Sequence, residues 1–192
     1  MKMKKYFTLL GLFCVFICCS QDKETVKKTT SKEQPILLAD PTIFFDNGVY
    51  YLYGTTTGDF PNGEGFQVYT SSDLKKWKGP VGAQNGLALK KGDAYGTKGF
   101  WAPQVFKNNN KFYIIYTADE NIAIASSDSP LGPFRNDSKA SMFNSGKQID
   151  PFVFVDQNGK KYLYHVRLTN GNRIFVAELK DDLSGIKEET LK

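Results

Sequence analysis

Apolar and polar positions along this chain fall into paired runs of strand length separated by turn residues, and the pairing recurs. Residues 39–55 (ADPTIFFDNGVYYLYGT), 101–117 (WAPQVFKNNNKFYIIYT) and 149–166 (IDPFVFVDQNGKKYLYHV) share one layout: an apolar strand, a tight turn and a second, aromatic strand. Pro41, Pro103 and Pro151 stand in one register, directly preceded by Asp40, Ala102 and Asp150. Asp46-Asn47-Gly48, Asn108-Asn109-Asn110 and Gln157-Asn158-Gly159 occupy the turns. These residues tolerate positive φ and so close β-hairpins. A weaker second set follows at 65–79, 121–135 and 173–187, each an apolar strand, an acid-containing turn and then Trp77, Phe134 or Ile186. The pattern predicts four strands per unit, and self-similar units at a spacing of tens of residues mark an array of supersecondary modules.

The aromatic strands are apolar on both faces, as in Val49-Tyr50-Tyr51-Leu52-Tyr53 and Phe112-Tyr113-Ile114-Ile115-Tyr116. A sheet with one wetted face alternates apolar with polar, so both faces of these sheets must be covered. Four-stranded sheets sandwiched between like neighbours are the blades of a β-propeller. The chain is therefore predicted to be all-β and of propeller type. A two-sheet sandwich explains the repeated register less well. Three blades can be counted, at about 36–80, 101–137 and 148–189, whereas a closed ring takes roughly four to eight. The expectation is a partial propeller whose two end faces, rich in Phe, Tyr and Ile, meet either later blades of a longer protein or a partner.

Composition narrows the class. A hydrophobic fraction of 41% with 14% aromatics belongs to a core-forming protein. The net charge of +5 includes Lys2, Lys4 and Lys5 of an N-terminal leader; without those three it falls to +2. No cluster of basic residues interleaved with aromatics remains to follow a phosphate backbone, which argues against nucleic acid as a partner. The leader has a basic start, an apolar run over 6–17, and then Cys18-Cys19-Ser20-Gln21-Asp22. A run this short suits an export signal better than a spanning helix. Its ending resembles a bacterial lipoprotein signal, with a signal peptide over 1–18, Cys19 rather than Cys18 as the lipidated residue, and an exported, membrane-anchored product. Residues 19–35 are polar and aperiodic and read as a flexible tether. All three cysteines, Cys14, Cys18 and Cys19, lie in the leader region, which leaves 36–192 without a thiolate or a cysteine metal site.

The residues that open the first strands carry the candidate chemistry. Proline after Asp40 and Asp150 is expected to hold each acid extended and, donating no hydrogen bond, suits the start of a strand. Asp-Pro is also a common turn dipeptide. However, the middle copy keeps its strand with Ala102 in place of the acid, so the carboxylate is dispensable to the blade, and its presence in two copies points to a site. Two carboxylates converging from distant segments form a hydrolase-like arrangement.

Ala-Asp-Pro before an aromatic strand, Phe-Trp-Ala-Pro at the second unit and Ile-Asp-Pro-Phe at the third resemble glycoside hydrolase family 43, over residues 36–192. The resemblance implies a five-bladed β-propeller and an inverting glycosidase acting on arabinose-, xylose- and galactose-containing plant polysaccharides. It further implies Asp40 as the general base activating water and Asp150 as the acid that tunes and orients the proton donor. Inversion calls for base and acid about 6.5–9.5 Å apart. The family's donor is a glutamate opening the fourth blade, and none of Glu64, Glu120, Glu178, Glu188 and Glu189 sits at such a strand start. The isolated chain is therefore expected to be inactive, and a carbohydrate-binding propeller lipoprotein without chemistry is the alternative. A retaining fructan-type hydrolase fits less well, because its Asn-Asp-Pro-Asn-like opening is absent at 39–42.

Trp101, with Phe100 beside it, is a candidate platform for a sugar face, or else packs against the loop at 92–99. His165, the single histidine, is a structural residue or a sugar contact, and Arg167 a sugar contact or an ion-pair partner. No cofactor is required and no metal site is assigned within the chain. The resemblance leaves room for a structural calcium ion in a complete propeller, with ligands from later blades.

Overall fold

The computed structural model describes residues 35–56, 64–144 and 146–192. The leader, the tether and Cys19 lie outside the described residues. The chain divides into Met1–Pro35 and Ile36–Lys192, and the second unit carries the fold.

Each repeat forms one antiparallel sheet. The first consists of β1 (Leu38–Asp46), β2 (Val49–Thr56) and β4 (Tyr69–Ser71) in that spatial order. The second holds β6 (Trp101–Asn108), β7 (Lys111–Ala118) and β8 (Asn121–Ser127), and the third β9 (Gln148–Val155), β10 (Lys161–Leu168) and β11 (Asn172–Glu178). Asn47 and Gly48 both take positive φ, 49° and 79°, which is why this dipeptide can join β1 to β2 so tightly. The only helical element among the described residues is a 3-10 turn at Glu188–Thr190.

The predicted fourth strand of each unit is reduced to a single bridge. Thr70 pairs with Lys78, Ser126 with Arg135 and Leu179 with Ile186, each antiparallel. The apolar residue noted at each place, Trp77, Phe134 or Ile186, lies at or next to its bridge. Glycine, proline and charged residues around these positions leave too short a β-forming run to extend the ladder. A fourth sheet went unread in the sequence: β3 (Gly65–Gln67) pairs with β5 (Leu87–Lys90). Val68 separates β3 from β4, so one extended segment serves two sheets.

The core consists of two apolar layers on either side of the middle blade. Along β7, Phe112, Ile114, Tyr116 and Ala118 enter a cluster with Tyr53, Phe66 and Leu89 of the first repeat and its insertion. Ile115 faces the opposite way, into a cluster with Val153, Leu163 and Ala177 of the third blade. This is strand alternation with both faces dry, and it explains why β7 shows no polar stripe. Gln104 of β6 adds a polar clamp across the second layer. Its Nε2 donates to the Val153 carbonyl at 3.1 Å and its Oε1 accepts from the Val153 N–H at 2.6 Å.

The first and third blades are covered on one face only. Ile43 and Phe45 of β1, and Phe152, Phe154 and Ile174 of the third sheet, are each about half or more exposed. The sequence pattern demanded cover on both faces, and among the described residues only the middle blade has it.

Candidate active site

The three prolines in register mark three equivalent β-bulges. Pairing of β1 with β2 jumps from Ala39↔Thr55 to Thr42↔Tyr53, leaving Asp40 and Pro41 opposite Gly54. Pairing of β6 with β7 jumps from Trp101↔Thr117 to Gln104↔Ile115, leaving Ala102 and Pro103 opposite Tyr116. In the third blade the jump runs from Ile149↔Val166 to Phe152↔Tyr164, leaving Asp150 and Pro151 opposite His165. Proline belongs in such a place because it has no N–H for the ladder to use. A side chain at position 54 has no room, since a Cβ there would lie 2.8 Å from the Ala39 carbonyl oxygen.

The backbone at the bulges departs from the expectation that proline holds the preceding residue extended. Asp40, Ala102 and Asp150 adopt positive φ of 46°, 44° and 55°. This left-handed conformation is uncommon outside glycine, asparagine and aspartate. At Ala102 and Asp150 it is held by a contact from the neighbouring blade that outweighs the local preference. The Ala102 N–H donates to Thr55 Oγ1 at 2.9 Å, and the Asp150 N–H donates to Thr117 Oγ1 at 3.0 Å. Thr55 and Thr117 occupy equivalent places at the ends of β2 and β7, so each blade pins the bulge of the next. The three bulges consequently sit side by side along one edge of the sheets, in the order Asp40, Ala102, Asp150.

This arrangement brings the two acids into electrostatic reach. Asp40 accepts a hydrogen bond from the Thr55 hydroxyl at 2.7 Å. The Asp150 carboxyl is raised above its ordinary value, first by partial loss of water around it and second by the charge of Asp40. Both side chains stay accessible to solvent. A pair of accessible carboxylates, one hydrogen-bonded and the other with a raised proton affinity, can divide base and acid-side duties at one centre.

The remaining candidates separate. Trp101, 39% exposed, lies between the bulge and the loop at 92–99. Its indole leans on Gly99, where a Cβ would lie 3.0 Å from Trp101 Cζ2. That loop is fixed by Asp119, whose Oδ2 accepts from the Thr97 N–H at 2.9 Å and whose Oδ1 accepts from the Lys98 N–H at 3.1 Å. Phe100 points inward instead. It stacks on Tyr116 at 5.8 Å and meets Phe66 edge-on, which leaves no face for a sugar. His165 is 1% exposed, between Phe143 and Phe175, and its surroundings are those of a structural residue. The Arg167 guanidinium lies 4.9 Å over the Phe175 ring, a cation–π contact.

A depression of about 930 Å³ lies between the second and third blades, lined by residues such as Tyr113, Ser126, Arg135 and Asp182 and by neither Asp40 nor Asp150. Three blades do not enclose a channel, so the bulge edge is an open ledge. Among the described residues no group of three or more His, Cys, Asp and Glu side chains is placed to hold a metal ion.

Residues 33–192 match the family described as Glycosyl hydrolases family 43, and the chain belongs to it. A xylosidase/arabinosidase of Humicola insolens is 30% identical over 167 residues, covering 74% of this chain and 50% of that protein. An arabinoxylan arabinofuranohydrolase of Bacillus subtilis is 26% identical over 84% of this chain and 39% of its own length. Among solved structures, an endo-1,4-beta-xylanase from Bacteroides thetaiotaomicron superposes with a TM-score of 0.72 at 48% identity, over 81% of this chain and 51% of that one. An endo-arabinase from the same organism gives 0.66 at 28% identity. The three sheets are thus three blades of the family's five-bladed propeller, and the chain spans about half the length of the relatives it matches.

Proposed function

We propose that this chain carries the base side of an inverting glycosidase acting on arabinose- and xylose-containing plant polysaccharides. Asp40 takes the proton of the attacking water, and Asp150 tunes and orients a proton donor contributed from outside the described residues. The observation that carries this reading is the pair of matched bulges, which set Asp40 and Asp150 on one edge with the charge of one raising the carboxyl of the other. A negative neighbour favours the neutral form of a nearby acid, which keeps a proton available for the departing sugar oxygen. Trp101, at the same edge, supplies a partly exposed ring for the C–H side of a sugar.

None of the described glutamates is placed as donor. Glu178 is held by Lys187 at 2.5 Å and Lys160 at 3.2 Å, Glu120 is paired with Lys147, and Glu64, Glu188 and Glu189 lie away from the bulge positions. This favours a second reading for the 192 residues by themselves, that of a sugar-binding surface without hydrolysis. Nitrophenyl α-L-arabinofuranoside, β-D-xyloside and β-D-galactoside separate the two. A family-length protein carrying these residues releases nitrophenol and the 192-residue chain does not. Failure of both to react, with arabinoxylan still bound, would leave only the binding reading. The export signal and the lipid at Cys19 belong to the same proposal, tested by metabolic labelling with palmitate in cells carrying Cys19→Ala or Cys18→Ala.

A further inference from the structure

Thr55 makes two hydrogen bonds that lock each other. Its Oγ1 accepts from the Ala102 N–H of the second blade at 2.9 Å and donates to Asp40 Oδ2 of the first at 2.7 Å. A threonine hydroxyl has a single proton. With the Ala102 N–H on an acceptor lobe, that proton is directed at Asp40. The side chain is buried and its residue is paired with Ala39, next to the bulge, so the hydroxyl has little freedom to choose another partner. Thr117, its equivalent in the second blade, receives the Asp150 N–H in the same way, and Val166 stands at the third position, where no hydroxyl is available.

We infer that Thr55 is the positioning residue for Asp40: it ties up Oδ2 and leaves Oδ1 as the oxygen that faces the reacting water. This rests on the base role proposed above and adds to it the oxygen that acts and the group that selects it. A charge-assisted O–H···O⁻ bond of this length is among the stronger hydrogen bonds. A supporting bond to one carboxylate oxygen fixes the plane of the group, and misplacement by an ångström is costly to catalysis. The same bond makes the orientation of Asp40 depend on the placement of the second blade, through Ala102.

Thr55→Val keeps shape and removes the hydroxyl, and Thr55→Ser restores the hydroxyl without the methyl. In NMR spectra of the 192-residue chain, Asp40 shows a single side-chain rotamer in the native protein and in Thr55→Ser, and an averaged one in Thr55→Val. The Ala102 amide loses its protection from exchange in Thr55→Val alone, while the Asp150 amide on Thr117 keeps its own in all three and reports that the sheets remain folded. In a family-length protein Thr55→Val lowers kcat by roughly 10- to 100-fold with little change in KM, and Thr55→Ser recovers most of it. An unchanged Asp40 rotamer in Thr55→Val, or a Thr55→Ser variant that behaves like Thr55→Val, would overturn the inference. The glycosidase reading fails separately: if Asp40→Asn stays active while Thr55→Val still scrambles the Asp40 rotamer, the positioning stands and the chemistry does not.

Discussion

Asp150 holds its proton more tightly than a free aspartate, because water is partly excluded around it and because Asp40 lies close enough for its charge to be felt. Replacing Asp40 with Asn removes the second cause and leaves the first. The Asp150 midpoint, followed by carboxyl NMR, is therefore expected to fall in Asp40→Asn while staying above the ordinary 3.8. The sign for stability follows from linkage. An acid raised in the folded state contributes stability that is present below pH 3.8 and is lost as pH climbs through the folded midpoint, the reverse of a salt-bridged aspartate. An Asp150 midpoint that ignores Asp40→Asn would mean the two carboxylates do not share a site.

Ala102 adopts a φ of 44° that costs an L-residue about 1–2 kcal/mol, and glycine does not bear that cost. Ala102→Gly is expected to raise the unfolding free energy by about 1 kcal/mol in urea denaturation, against the usual direction of an Ala-to-Gly change. Destabilisation would indicate that the middle bulge is not left-handed in solution.

His165 is pushed down to about 4 by burial and, secondarily, by the charge of Arg167. Its unfolded form binds a proton near pH 6.5, so stability present above that value is lost as pH falls toward 4. Asp150 acts with the opposite sign, so the contrast to measure is native protein against His165→Phe. Urea melts at pH 7 and pH 4.5 are expected to show a larger acid loss in the native chain. Equal losses would mean that His165 is not buried as a neutral ring.

The exposed and covered faces of the blades give a test of the architecture. Ile114 and Ile115 are fully buried on opposite faces of β7, and each Ile→Ala change is expected to cost about 2–5 kcal/mol. Ile43 is 53% exposed on the outer face of the first blade, and Ile43→Ser is expected to stay within about 0.5 kcal/mol. A cost at Ile43 close to that at Ile114 would show that this face is covered in solution.

Much of this was legible in the repeat itself. Hairpin turns such as Asn47-Gly48, the doubly apolar strands and the register of the three prolines each reflect local rules that a single sequence displays. The left-handed bulges were not legible, because proline normally drives its predecessor to extended backbone. At Ala102 and Asp150 the exception is enforced by a threonine from the adjacent blade, a contact between residues 47 and 33 positions apart. Phe100 and Trp101 were read together, although neighbouring residues at a strand start take opposite faces, and the first belongs to the core. His165 was read without its two phenylalanine neighbours, which come from outside its own strand. Thr55 was missed, yet the aligned repeats carry a usable signal: threonine recurs at 55 and 117, one blade before each bulge that its hydroxyl binds.

The most direct test of the account is the stereochemistry and rate of glycoside cleavage by a family-length protein carrying these residues, followed by proton NMR of the freshly released sugar. The first product is expected to have inverted anomeric configuration, and Asp40→Asn is expected to lower kcat by roughly 10²- to 10⁴-fold, the usual worth of a general base. A product with retained configuration, or an Asp40→Asn variant that cleaves at the native rate, would contradict the assignment of Asp40 as the base.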